Sequence, residues 1–301
     1  MSRRIFFLLV LLLLQLALGY SLSRQLWDMS AGDAPPPLFD ISARLVDDIH
    51  ITDDQGNEAI LQKQGKIWTL PELENLPADS ERIERVLEAI TRGETGWPVA
   101  NSIPARQRFQ VAGYHFRRRI IMAGGHTLLG TVYLGTSPGF RKVHARNDIG
   151  DDIYALRLNA FDLPAESEAW LDRRLLQVRA PLSILSDGYS LKRKGDAWLA
   201  DGGSTPDQRE IDAMLEALRS IEIQSLAEED MQRDLAQSQP EMILEIDGLT
   251  GTRRLELFRL DGGHYIYSSE FSLFFRLSQF EYQRLSSLDA RLLEATMAEP
   301  L

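Results

Sequence analysis

One pentapeptide of the sequence has the spacing of a catalytic motif. Gly135-Thr136-Ser137-Pro138-Gly139 fits G-x-S-x-G, the turn that presents the nucleophilic serine of many hydrolases. That turn uses the backbone N–H of the residue after the serine as an oxyanion donor, and proline has no N–H. The surrounding pattern indicates a strand and a turn without the helix that should follow. We therefore interpret the pentapeptide as a strand end and predict no serine nucleophile.

The histidines do not have the spacing of a metal site. His115 and His126 could face each other across a hairpin, but zinc needs three or four protein ligands. No two histidines are three or four positions apart, in a set comprising His50, His115, His126, His144 and His264. The chain has no cysteine, which excludes disulfides, thiolate ligands and cysteine nucleophiles.

Three acidic pairs lie near turns: Asp47-Asp48, Asp53-Asp54 and Asp151-Asp152. Their surroundings do not fit a calcium-binding loop, which needs oxygen ligands at alternate positions and a glutamate at position 12, so we interpret them as solvated turns. The sequence does not decide whether the fold brings two carboxylates together for glycoside hydrolysis, because that chemistry depends on their distance in space. We predict no catalytic, cofactor-binding or metal-binding residues and no cofactor.

Charge limits the classes of partner. A net charge of −11 disfavours nucleic acid and would keep the chain off anionic lipid surfaces, apart from any inserted segment. Arg117, Arg118 and Arg119 form a local basic run. This run could bind an acidic partner or lipid headgroups, but we favour a solvated strand edge guarded by charge.

The N-terminus predicts a membrane anchor over residues 1–22. Arg3 and Arg4 precede an apolar run from Ile5 to Leu22, which at about 1.5 Å per residue nearly spans a bilayer core of roughly 30 Å. The basic residues should stay in the cytoplasm, which places the body outside as a single-pass inner-membrane protein with a periplasmic domain. The alternative is a signal peptide cleaved before Tyr20. A linker follows over residues 23–40, in which Pro35, Pro36 and Pro37 favour a stiff extended spacer.

The rest of the chain contains a long repeat. LQKQGKIWTL (61–70) and LKRKGDAWLA (191–200) share Leu, a basic residue, Gly and Trp in one register. Each follows a hairpin pattern and precedes a helical pattern, over residues 79–90 and 205–218. For the second helix we predict Thr205 as the N-cap. Two further segments have similar counterparts later in the chain. IYALRLNAF (153–161) matches LFFRLSQF (273–280), and AWLDRRLL (169–176) matches SLDARLL (287–293).

This repetition predicts an α+β fold of two tandem duplicated domains. Each domain should contain an antiparallel sheet, one packed helix and a short closing helix, over residues 41–178 and 181–299. Trp68 and Trp198 occupy matched positions, and we expect both to be buried between a sheet and its helix.

The order of these features resembles the family labelled domain of unknown function 4340. The resemblance rests on the anchor, the proline linker, the L-x-(K/R)-x-G-x-x-W pattern, the Ile83–Ile90 helix, YLG at 133–135 and WLDRRLL at 170–176. It implies a membrane-anchored extracytoplasmic protein, often encoded beside an ABC-type export system of the gliding-motility kind. It supplies no catalytic residues.

We therefore expect a non-catalytic accessory or scaffold protein. Its expected partners are the membrane, through the N-terminal helix, and ABC-type transporter subunits, but not nucleic acid. Two alternatives stay open: an extracytoplasmic enzyme acting on envelope polymers, and a ligand-binding module with a site between the two domains.

Overall fold

A computed structural model of the protein describes Gln15 and residues 37–39, 41–93, 95–200, 206–249 and 251–287. Apart from Gln15 and residues 37–39, the predicted anchor and linker lie outside the described residues. Within the described ranges, no helix combines the length and apolar composition needed to cross a bilayer. Leu38 and Phe39, at the end of the predicted linker, are buried, and the Leu38 carbonyl accepts a hydrogen bond of 2.8 Å from Asn147 Nδ2.

The fold is α+β with antiparallel sheets, which confirms the predicted class. The described strands form two eight-stranded sheets and one two-stranded sheet. Contacts divide the chain into two compact units. The first unit holds the described residues of Met1–Val46 together with Glu84–Leu163, and the second holds Asp47–Ile83 and the described residues of Pro164–Leu301.

The second unit begins with an antiparallel meander of four strands, each paired with the next: β1 (Asp48–Asp53), β2 (Glu58–Gln64), β3 (Ile67–Leu70) and β4 (Leu76–Pro77). Apolar residues alternate along it, so Ile49, Ile51 and Leu61 are buried. The turn after β1 is organised by Asp53, whose carboxylate accepts hydrogen bonds from the backbone N–H groups of Gln55 and Asn57 at 2.9 Å.

The first unit contains a short hairpin and a second meander. The hairpin pairs β5 (Val111–Ala112) with β6 (His115–Phe116). The meander comprises β7 (Arg118–Gly124), β8 (Thr127–Leu134), β9 (Val143–Asn147) and β10 (Tyr154–Leu156).

The second eight-stranded sheet lies wholly in the second unit. It is built from β11 (Pro181–Ser186), β12 (Tyr189–Lys194), β13 (Ala197–Ala200), β14 (Ile223–Leu226), β15 (Met242–Gly248), β16 (Gly251–Leu260), β17 (Gly263–Ser268) and β18 (Leu273–Leu277). The spatial order is β13-β12-β11-β15-β16-β17-β18-β14. A three-stranded meander and a four-stranded meander therefore meet at the β11–β15 pair.

Five α-helices are described: α1 (Ser80–Arg92), α2 (Ile103–Arg108), α3 (Gln208–Ser220), α4 (Glu229–Ala236) and α5 (Gln279–Ser286). The predicted apolar faces of α1 and α3 are confirmed, because their members are all buried: Ile83, Val86, Leu87, Ile90, Ile211, Met214, Leu215 and Leu218. The predicted N-cap at Thr205 is wrong. Helix α3 starts at Gln208, and Asp207 caps it by accepting a hydrogen bond of 2.8 Å from the Arg209 N–H.

The first predicted closing helix differs from the structure, and the second stays a prediction. In the first case the chain forms a 3-10 turn, Ser167–Trp170, and not an α-helix. The reason is that the backbone pairs elsewhere: the Trp170 carbonyl accepts from the Asp79 N–H at 2.8 Å, and Asp172 donates to the Pro77 carbonyl at 3.0 Å. The second predicted closing helix, at 287–293, lies outside the described residues except for Ser287, and α5 ends just before it.

The matched tryptophans are core residues, as predicted. Trp68 is fully buried, and Trp198 is 6% exposed. Along the chain, four elements recur in the same order: three consecutive paired strands (β1–β3 and β11–β13), a helix of 13 residues, a shorter helix and a four-stranded meander.

Candidate functional site

Ser137 is part of a turn and is not presented as a nucleophile. Its Oγ donates to the carbonyls of Gly139 and Lys142, both at 2.7 Å. The Lys142 N–H in turn donates to the Gly139 carbonyl at 3.2 Å. These bonds hold the tip Gly139–Lys142 of the β8–β9 loop in one conformation, so the G-x-S-x-G stretch positions this loop.

His144 is the histidine that the structure buries. Its ring lies 4.2 Å from the ring of Phe109, and its Nδ1 is 2.9 Å from Thr136 Oγ1. Burial lowers the pKa of His144, a hydrogen bond with the Thr136 backbone offsets part of this effect, and the positive charge of Arg108 lowers the pKa further. His144 is therefore a neutral core residue at pH 7.

The structure does not bring the histidines together with one another, although His50 lies 3.4 Å from Asp48 and 3.3 Å from Glu58. His115 lies on β6, and His126 lies in the β7–β8 turn at the far end of β7, so the two do not face each other. No group of three metal-ligating side chains occurs among the described residues. Asp53 is buried in its turn and is not solvated as predicted, whereas Asp151 pairs with Arg106.

Among the described residues of the second unit, two clefts have volumes of about 400 Å³. In the first, Arg174 and Arg253 are already paired with carboxylates, Asp172 and Glu270, each at 3.2 Å. Such pairing reduces their attraction for an anionic ligand. Arg179, which also lines this cleft, is exposed.

The second cleft is lined by Tyr189, Glu241 and Arg259, and the Tyr282 hydroxyl donates a hydrogen bond to Glu241. Burial raises the pKa of Tyr189 to about 12, and burial together with the Glu241 carboxylate raises the pKa of Tyr282. Both phenols stay protonated at neutral pH, so they do not act as bases.

A stronger feature is the distribution of charge along the chain. The 53 residues 95–147 contain no Asp or Glu but eight Lys or Arg, although the whole chain has a net charge of −11. All of them belong to the first unit. The first unit therefore contains a basic stretch within an acidic protein, and this stretch extends well beyond the run Arg117–Arg119.

Hydrogen bonds join three surface segments of this stretch: the end of α2, the β5–β6 hairpin and the β8–β9 loop. The Thr136 N–H donates to the Phe109 carbonyl at 2.9 Å, which joins the β8–β9 loop to the end of α2. Arg117 Nε donates to Gln110 Oε1 at 2.7 Å, which joins the β5–β6 hairpin to the same helix end. A Cβ at Gly135 would lie 1.9 Å from the Phe109 carbonyl oxygen, so this close approach requires glycine.

These segments present aromatic and basic side chains to solvent. Phe140 and Tyr114, at the tips of the loop and the hairpin, are 87% and 76% exposed. The guanidinium of Arg141 lies 5.0 Å from the Phe140 ring centroid, and that of Arg108 lies 4.5 Å from the Phe109 ring centroid. We call this set the basic-aromatic surface, defined as Arg108, Tyr114, Arg117, Phe140, Arg141 and Lys142, all of which are exposed.

The basic charges of this surface are not neutralised by the fold. Within the described part of the chain, no carboxylate lies within 4.0 Å of the charged groups of Arg108, Arg141 or Lys142. The predicted basic run contributes only Arg117 to the surface. Arg118 donates instead to the Leu163 carbonyl at 2.8 Å, and Arg119 is half-buried over the Phe116 ring.

Sequence reasoning missed this surface because it used the net charge of the whole chain. The signal was present: a scan for stretches lacking acidic residues would have found residues 95–147. Which aromatic side chains in it are exposed could not be read in the same way, since Phe109 and Phe140 look alike in sequence and only Phe140 is mostly exposed.

Comparison with known proteins gives a family without a described function. A model described as a domain of unknown function, DUF4340, matches residues 68–240, which is more than half of the 301 residues. No curated protein matches the chain. No solved structure matches it either.

Proposed function

The chain belongs to the DUF4340 family, and we propose that it is a membrane-anchored extracytoplasmic accessory protein that acts by docking and not by catalysis. The observation that carries this proposal is the basic-aromatic surface, because large exposed aromatic side chains next to unneutralised cations are typical of a binding surface. The side chains that could have suggested chemistry, Ser137 and His144, have structural roles in presenting this surface.

The anchoring part of the proposal is supported by the apolar run Ile5–Leu22 after Arg3 and Arg4. An association with an ABC-type transport or envelope complex is what the family resemblance implies. A fusion of alkaline phosphatase after residue 40 should be active if the body is exported. An inactive fusion would contradict the periplasmic location.

We also propose that the body arose by duplication of one α+β domain. Its support is the shared order of elements, together with helix caps at Asp79 and Asp207, which are 128 residues apart, as are the matched apolar residues of the two helices. The basic-aromatic surface has no counterpart in the second copy. There, β16 and β17 are joined by the short turn Asp261-Gly262, which is acidic, and residues 237–241, between α4 and β15, form no hairpin.

The docking role is tested by photocrosslinking in intact cells. A photoreactive amino acid at Phe140 should give crosslinks to membrane components, whereas the same residue at Phe280, which is 65% exposed in the second unit, should give few. Equal yields at the two positions, or none at Phe140, would contradict the proposal. Transporter subunits that co-purify after crosslinking would support the complex, and recovery of the protein alone would oppose it.

A ligand-binding module is the second candidate, favoured by the cleft that Arg179 lines. In the described residues, the Arg179 side chain makes no hydrogen bond or ion pair, so it is free to bind an acidic group. A rise in Tm on adding a small dicarboxylate, lost in Arg179→Gln, would favour this function. An unchanged Tm across a panel of dicarboxylates would remove its support.

A further inference from the structure

We infer that the basic-aromatic surface docks on a membrane surface that contains anionic phospholipids. This inference deepens the proposed docking role and rests on it, but it does not depend on the N-terminal anchor. Two features of the surface indicate this binding partner: its charge and the placement of its aromatic side chains.

Charge selects an anionic occupant. Arg108, Arg141 and Lys142 are exposed and have no described carboxylate within salt-bridge distance, and residues 95–147 contribute no negative charge. Basic residues near an anionic leaflet each strengthen binding roughly fivefold. The four cations of the surface acting together give a strong preference for anionic over neutral lipid.

The aromatic side chains select a lipid surface over an acidic protein. Phe140 and Tyr114 lie at the tips of two separate turns and are almost fully exposed, so they project from the surface. Aromatic rings at such tips can enter the boundary between headgroups and acyl chains, where amphipathic and aromatic groups are favoured. An acidic protein would instead be expected to meet aromatic anchors at the centre of a packed patch with a polar rim.

The turn that presents Phe140 is built to hold it outward. Ser137 binds both ends of the tip, Gly139 and Lys142, and Arg141 takes a left-handed φ of 52° between them. Arg141 stacks on the Phe140 ring, so one tip offers an apolar face and a cation side by side. This pairing suits a boundary at which phosphate groups lie next to hydrocarbon.

The test uses the full chain reconstituted into vesicles. Since the chain has no cysteine, Pro138→Cys gives a single site for a nitroxide label beside an intact Phe140. Its depth is measured by collision with oxygen and with a polar nickel complex, in vesicles with and without phosphatidylglycerol. The expected result is a label that enters the membrane boundary in phosphatidylglycerol–phosphatidylcholine vesicles and stays in water on phosphatidylcholine alone.

Two charge variants provide the matched comparison. Arg108→Gln, Arg141→Gln and Lys142→Gln together should lower the ratio of docked to undocked label roughly a hundredfold. The control is Lys192→Gln, Arg193→Gln and Lys194→Gln, which removes three exposed cations from the second unit and should leave docking unchanged. A label on Asp196→Cys, in the second unit, should stay in water throughout.

Three outcomes would overturn the inference: equal depth in neutral and anionic vesicles, equal loss in both triple variants, or immobilisation of the label only when an acidic protein is added. Membrane binding by the N-terminal anchor is measured separately, by flotation of the protein with pure phosphatidylcholine vesicles. Loss of flotation there with retained docking on anionic vesicles would reject the anchor and keep the lipid inference, and the reverse result would reject the inference alone.

Discussion

At the residue scale, the two glycines of the G-x-S-x-G stretch have different surroundings. A Cβ at Gly135 would meet the Phe109 carbonyl oxygen at 1.9 Å, whereas a Cβ at Gly139 meets nothing within 4 Å, and Gly139 has no left-handed φ. Gly135→Ala should therefore lower the free energy of unfolding by about 2–4 kcal/mol, while Gly139→Ala should change it by less than about 0.5 kcal/mol. Urea denaturation of both variants measures the difference. Equal destabilisation would show that the close approach of the loop to α2 is wrong.

His144 makes stability depend on pH. Burial lowers its pKa in the folded state, so the unfolded chain binds the proton more readily and stability is lost as pH falls. The loss should begin near the ordinary histidine pKa of about 6.5 and continue below it. His144→Gln keeps a polar group near Thr136 but does not titrate. Chemical denaturation at pH 7.5 and pH 5.5 should show a larger loss for the wild type than for this variant, and equal losses would contradict the buried position.

At the element scale, α1 and α3 begin in the same way. The Asp79 carboxylate accepts from the Arg82 N–H at 3.0 Å, and the Asp207 carboxylate accepts from the Arg209 N–H at 2.8 Å. Asp207→Ala should lower the free energy of unfolding by about 1 kcal/mol. Asp207→Asn should be nearly as stable as the wild type, because the amide oxygen of asparagine still accepts the hydrogen bond. Thermal unfolding separates the two variants. If the alanine variant is as stable as the wild type, Asp207 is not the cap.

The elements that sequence patterns predict well are those with a local cause. The alternation along β1 and β2, the apolar face from Ile83 to Ile90 and the buried Trp68 follow from side-chain period alone. The closing turn at Ser167–Trp170 could not be predicted, because its backbone pairs with residues 77–79, some 90 positions earlier. The start of α3 was missed because Thr205 and Asp207 are both good caps and only the fold selects between them.

The candidate site also has one property that the sequence predicts and one that it does not. Its charge is a property of composition and is readable from the stretch 95–147. Its shape is not, because the exposure of Phe140 depends on the bonds from Ser137 to the loop backbone and on the contact between Gly135 and Phe109. The proline after Ser137 argues against a nucleophile from sequence alone, but the role of that serine in the turn needed the structure.

At the scale of the whole molecule, net charge and local charge predict opposite behaviour. A chain with a net charge of −11 should be repelled by an anionic membrane, yet a stretch of 53 residues in its first unit, residues 95–147, carries no negative charge. Which effect dominates depends on distance, since the screening length falls from about 30 Å at 10 mM salt to about 3 Å at 1 M. Groups in contact with the headgroups are screened less than those farther away.

Docking by the basic-aromatic surface should therefore change with salt in two stages. From about 10 to 100 mM salt, screening removes the repulsion from distant acidic residues, so docking on phosphatidylglycerol vesicles should weaken little or even strengthen. Between about 100 mM and 1 M, the attraction of Arg108, Arg141 and Lys142 is itself screened, and the docked fraction of the Pro138→Cys label should fall severalfold. Insertion of an apolar anchor involves no such charge, so flotation with neutral vesicles should not change across this range. A docked fraction that stays constant up to 1 M salt would mean that Phe140 and Tyr114 dock without help from the cations, and the electrostatic half of the inference would then be wrong.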